Sequence, residues 1–121
     1  MARIKISSAK QKGRLFQNRV REDILKTFPT LHPDDVRTAS GGQQGRDILL
    51  SEAAQKVFPY AVECKHQEAV SIWSWWLQAV TNAGCLKPCL IFKRNRSEDL
   101  VVIRLTDFLD LTKGDSDVIQ K

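Results

Sequence analysis

The stretch Tyr60–Lys65, YAVECK, constrains what this 121-residue chain can fold into more than any other. It is an apolar strand pattern carrying charge at two alternate positions. Successive side chains of a strand point to opposite faces, so Glu63 and Lys65 project together while Val62 and Cys64 project the other way. A second short apolar run, Ile48–Leu50, lies upstream with Asp47 at its entry. If the two strands are neighbours, Asp47 meets Glu63 across the pair. Residues 45–67 therefore read as two strands joined by a polar connection, with two carboxylates and one lysine at a strand end.

That set of groups has a definite chemistry. Hard carboxylate oxygens suit magnesium, which takes one or two such ligands and completes its shell with waters and substrate oxygens. The Cys64 main-chain carbonyl can add a third oxygen, whereas its thiol points away. Lys65 is placed to position or deprotonate an attacking water, or to stabilise charge on a phosphate. A Glu-x-Lys pair on its own is common on exposed strands as a simple ion pair. Here it ends an apolar strand, and an aspartate heads another one shortly before it.

The rest of the chain supplies a frame. Residues 1–6 read as a loose basic lead-in. Ser7 and Ser8 are good N-caps, and the spacing of Leu15, Phe16, Val20, Ile24, Leu25 and Phe28 predicts a helix ending before Pro29. Val36–Ala39 reads as a short strand, and residues 40–45 form a glycine-rich loop without the Lys-Ser/Thr ending of a nucleotide-binding loop. Residues 51–56 read as a helical turn. A second helix follows Ser71 and stops at Gly84, with Ile72, Trp73, Trp76, Leu77 and Val80 as its apolar face and Trp75 off it. Leu90–Lys93 and Leu100–Leu105 predict a hairpin, Thr106 caps a last helical turn, and residues 113–121 read as a loose end. The order predicts one α/β domain over residues 1–121, with a mixed central β-sheet flanked by helices.

Lys and Arg total 19 against 14 Asp and Glu, a formal net charge of +5 that favours an anionic partner, nucleic acid first. No apolar run approaches the ~20 residues of a membrane span, and the charged N-terminus lacks the apolar segment of a secretory signal. Three cysteines define no set of paired bridges. Cys85 and Cys89 form a CxxxC, but neither His32 nor His66 completes a familiar zinc spacing. Reduced, buried thiols and a cytoplasmic location are the expectation.

Asp47 with Glu63-Cys64-Lys65 resembles the PD-(D/E)xK nuclease motif. The stretches KGRLFQ (12–17), GGQQGRDILLS (41–51), FPYAVECKHQ (58–67), WLQAVTNAG (76–84) and KPCLIFKRNRSEDLVVI (87–103) together resemble small archaeal-type Holliday junction resolvases and related phage nucleases. The resemblance implies a restriction-endonuclease-like core, magnesium-dependent cleavage of branched DNA with manganese as a substitute ion, a homodimer, and, for a phage protein, the host cytoplasm. It also implies a carboxylate in the first helix, where this chain has Gln17; Glu22 is the alternative. The proline before the motif aspartate is replaced by Arg46. A literal Pro-Asp at Pro33-Asp34 falls in a turn before the first strand and is set aside. Lys10, Lys12 and Arg14 of the first helix, and Ser40, Gly41, Gln43, Gln44 and Arg46 around the loop, are the candidate DNA contacts. Gln78 is a further candidate near the site.

Two other readings use the same residues. A nucleic-acid-binding module without catalysis would treat Asp47 and Glu63 as structural. A small subunit of a larger nuclease assembly would place the partner's surface on this chain.

Overall fold

Seven residues, Tyr60–His66, form the strand on which the molecule is built, here called β3, and the first five of them are buried. The computed structural model describes residues 2–39 and 45–119. In chain order the elements are α1 (Ala2–Thr27), a 3₁₀ turn (Pro33–Asp35), β1 (Val36–Thr38), β2 (Ile48–Leu50), α2 (Glu52–Val57), β3, α3 (Ile72–Ala83), β4 (Lys87–Lys93), β5 (Leu100–Val102) and α4 (Leu105–Ile119). β3 pairs in parallel with β4, with Glu63 opposite Leu90, and β4 pairs antiparallel with β5. This mixed three-stranded sheet, flanked by helices, gives the α/β restriction-endonuclease-like core. The β4–β5 pair is the expected hairpin, and β1 and β2 form a second, two-stranded antiparallel sheet with Thr38 opposite Ile48. It leans on β3 through one backbone–backbone bond, Asp47 N–H to the Val62 carbonyl at 3.1 Å.

Strand alternation divides the core. Tyr60, Val62 and Cys64 join Cys89 and the α1 residues Phe16, Val20 and Ile24 on one side. Leu90 and Phe92 join Trp75 of α3 on the other. A strand covered on both faces must read as a nearly continuous apolar run, and YAVEC does so apart from Glu63. The α1 stripe is the predicted one, except that Leu15 is exposed. The helix starts at Ala2, not at a serine cap, because residues 2–6 contain no glycine or proline to stop it. Likewise α4 runs to Ile119, so the expected single turn and loose end are one helix.

The face of α3 is a correction. Trp75 is 6% exposed and packs with Ala79 and Ala83 toward the sheet, whereas Trp73 is 77% exposed and Leu77 is also outside. Bulk misled the reading: an almost wholly apolar helix has two plausible stripes, and a close crossover on a parallel pair takes the one lined with alanines. Ala79→Leu should therefore cost about 1–3 kcal/mol in urea unfolding by overpacking, while Trp73→Ala should stay within about 0.5 kcal/mol.

One further detail differs from expectation, and one agrees with it. Cys85 is exposed while Cys64 and Cys89 are buried, and all three are free. The Pro33–Asp35 turn is capped by His32, whose Nδ1 accepts from Asp34 N–H, leaving the Asp34 side chain in solvent.

Candidate active site

The site forms where β2 parts from β3. After the single bond from Asp47 N–H to Val62, the next amide on that edge of β3 is Cys64 N–H. It has no strand to pair with, and the Asp47 side chain accepts from it instead, through Oδ2 at 2.7 Å. Asp47 is held from behind as well, because its carbonyl accepts from Ala39 N–H at 2.9 Å. In a strand the amide and carbonyl of one residue face the same edge, so the Cys64 carbonyl lies on the edge Asp47 occupies.

Glu63 and Lys65 project from β3 toward the α3 side, opposite Val62 and Cys64. Glu63 is 3% exposed. Its Oε2 lies 3.7 Å from Lys65 Nζ, and its Oε1 is buried with no hydrogen-bond partner among the described residues. Burial, and next the charge of Asp47, push the Glu63 carboxyl up to about 7, with Lys65 and the Asn82 side chain pulling the other way. Burial also raises Asp47, against the Cys64 amide and Lys65. Two desolvated carboxylates that repel one another, one with an orphaned oxygen, are groups a divalent cation would satisfy. Among the described residues no group of three or more His, Cys, Asp or Glu could hold a metal ion. Two carboxylates, with waters and substrate oxygens making up the shell, suit magnesium better than zinc.

A profile described as phage putative PDDEXK endonuclease matches residues 8–120. The chain belongs to that family. No curated protein and no solved structure gave a significant match. Membership places it in the PD-(D/E)xK nuclease superfamily, on the phage side of the resemblance read above.

The other candidates fall in different places. Lys12 Nζ donates to Asn95 Oδ1 at 3.0 Å, and His66 Nε2 lies 3.1 Å from the same oxygen. Lys10 and Arg14 are exposed on α1. A cleft of about 650 Å³, lined by Ser8, Lys12, Gly13, Lys65, His66 and Glu68 among others, runs between α1 and the end of β3. Gln17 sits half-buried on α1, which covers the face of β3 opposite Glu63 and Lys65. Glu22 is exposed and pairs with Arg21 at 2.7 Å. Gln78 is exposed on α3. Asn82, one turn further along the same helix edge, is the α3 side chain that acts on Glu63. Arg46 is turned inward: its guanidinium donates to the Asn82 and Ala83 carbonyls, at 3.3 and 2.7 Å. Ser40, Gly41, Gln43 and Gln44 lie outside the described residues.

Sequence reasoning missed Asn82, although a helix period of 3.6 puts positions 78 and 82 on one edge. It also missed His66 and Asn95. The first directly follows the motif lysine, which was a usable signal. The second bonds Lys12 and His66 from the β4–β5 turn and leaves no local trace.

Proposed function

We propose that this chain is a magnesium-dependent DNA endonuclease that hydrolyses phosphodiester bonds, with manganese able to replace magnesium and branched DNA as the favoured substrate. The observation carrying the reading is the split between β2 and β3, where the Asp47 side chain takes the free Cys64 amide and the neighbouring Glu63 is buried with Lys65 beside it. Asp47, Glu63 and the Cys64 main-chain carbonyl are the oxygens for the metal. Bound there, the ion would neutralise the phosphate and lower the pKa of water. The protein's own residues do the rest. The Cys64 amide fixes Asp47, so its second oxygen is held without freedom to turn. Lys65, largely buried and counterbalanced by Glu63, positions the attacking water or stabilises charge developing on the phosphate.

The cleft beside Lys65 supports a path for the DNA strand. Its wall on α1 is made of the small residues Ser8, Ala9 and Gly13, which allow a sugar-phosphate backbone to approach closely. Lys12 is at its rim, and Lys10 and Arg14 lie on the same helix, which suits phosphate contacts that orient without reading sequence. A homodimer is supported by the apolar surface left outside on α3 and α4, where Trp73, Leu77, Leu105 and Phe108 are exposed. Trp75 is buried, so these exposed residues are the interface candidates. Trp73→Glu should convert dimer to monomer in sedimentation while leaving the melting temperature of the monomer unit nearly unchanged. Among the described residues no helix is long and apolar enough to cross a membrane.

The test is a panel of labelled four-way junction, duplex and single-stranded DNA, incubated with the purified chain with and without magnesium. Cleavage that needs the ion and is fastest on the junction is expected. No cleavage of any substrate, or cleavage indifferent to chelator, would sink the reading.

A further inference from the structure

Arg46 stands where the superfamily motif carries a proline. A proline stiffens the entry to the motif aspartate by fixing its own backbone. Arg46 is tied down differently, from its side chain. Nε donates to the Asn82 carbonyl at 3.3 Å and Nη2 to the Ala83 carbonyl at 2.7 Å. These are among the last carbonyls of α3, which the helix itself leaves unpaired and where its dipole favours a cation. The guanidinium therefore caps α3 from the residue adjoining the first carboxylate. The same helix packs on the face of β3 that carries the second carboxylate, Glu63, whose strand partner Leu90 lies against Trp75 of α3.

Gly84 completes the arrangement. It has φ +61 and ψ −126, a conformation that side chains rarely adopt. A Cβ built there would also lie 2.7 Å from Arg46 Nη2. A glycine at this point both ends α3 and leaves the guanidinium room to reach the Ala83 carbonyl. On the other side, Gly45 at φ +109 lets the chain turn into Arg46.

We propose that Arg46, the α3 C-terminus at Asn82–Ala83 and Gly84 form a bracket that sets the spacing of Asp47 and Glu63 for a divalent cation, making Arg46 a positioning residue in place of the motif proline. The inference rests on the metal-dependent nuclease reading, and goes beyond it in naming what holds the two carboxylates in register. Arg46 is thereby assigned an internal role, not a DNA contact.

The test uses the full chain as wild type, Arg46→Ala, Arg46→Lys and Gly84→Ala. Calorimetric titration with Mn²⁺ reads the site without requiring cleavage, and thermal unfolding reads the cap. Removing a partner that orients metal ligands typically weakens metal binding or activity by about 10–100-fold. Arg46→Ala is expected to weaken Mn²⁺ binding by about tenfold or more, and to lower kcat on DNA with KM unchanged. Arg46→Lys, able to reach one carbonyl but not two, should recover part of the loss. Gly84→Ala, which keeps the arginine but displaces it, should reproduce the loss and serves if Arg46→Ala does not fold. A folded Arg46→Ala, or failing that a folded Gly84→Ala, that binds Mn²⁺ as tightly as wild type would overturn the bracket while leaving the nuclease reading standing. So would a rise in KM with metal affinity unchanged, which would make Arg46 a DNA contact. Wild type that binds Mn²⁺ with the expected variant losses, yet cuts nothing, would keep the bracket and remove the nuclease. Wild type that binds no Mn²⁺ would overturn both.

Discussion

Glu63→Gln should make the metal-free protein more stable at pH 8 while removing its metal-dependent cleavage. Burial and the charge of Asp47 raise the Glu63 carboxyl from 4.5 to about 7. The native state therefore binds more protons than the unfolded chain between those values, and stability falls as pH rises through that window. The shift corresponds to about 3 kcal/mol lost above pH 7, and Asp47, raised in the same direction, adds to it. Asp99, which Arg19 holds low, acts in the opposite sense, at and below the ordinary carboxylate range. A glutamine keeps the shape without the charge, so in chelator the variant should lose most of the fall that urea unfolding of wild type shows from pH 4.5 to 8, keeping the part due to Asp47. Magnesium should reverse the order, because only the carboxylate offers it a charged ligand. Loss of several kcal/mol of charge stabilisation corresponds to a cleavage rate lower by about a thousandfold. A variant no more stable than wild type at pH 8 in chelator would mean that Glu63 is not the desolvated group described here.

Lys65→Ala should separate chemistry from metal binding. Its ammonium is 3.7 Å from Glu63 and, in a site that also receives a cation, is a competing positive charge. Removing it should leave Mn²⁺ affinity equal or higher in calorimetry. Cleavage should nonetheless fall by about 10²–10⁴-fold in single turnover, the range lost with a positioned proton-transfer group. If affinity and rate fell together, Lys65 would be acting as a support for the carboxylates and not on the reacting phosphate.

The strand pattern was the legible part of this molecule. Alternation in YAVECK assigns Glu63 and Lys65 to one face and Val62 and Cys64 to the other, and both clusters of the core respect that division. The position of Asp47 beside β3 was legible for a related reason: an apolar run headed by an aspartate and followed by a short polar connection has few places to go. What stayed hidden depends on contacts distant in sequence. Arg46 beside a glycine-rich loop looks like a phosphate ligand, but its carbonyl partners lie 36 and 37 positions away. The two stripes of α3 differ in bulk more than in polarity, so periodicity could not choose between Trp73–Trp76 and Trp75–Ala79–Ala83. The first helix was read for a missing carboxylate at Gln17, yet α1 packs on the far face of β3. The α3 side chain that influences Glu63 is Asn82, whose role requires knowing where that helix lies.

The most direct measurement is the single-turnover rate of cutting a labelled DNA as magnesium is titrated, for wild type and Asp47→Asn side by side. Wild type should show a rate that rises from nothing and saturates with magnesium, and Asp47→Asn should be slower by about a thousandfold at every concentration. A wild-type rate independent of magnesium, or an Asp47→Asn curve that overlays it, would contradict the assignment of this site.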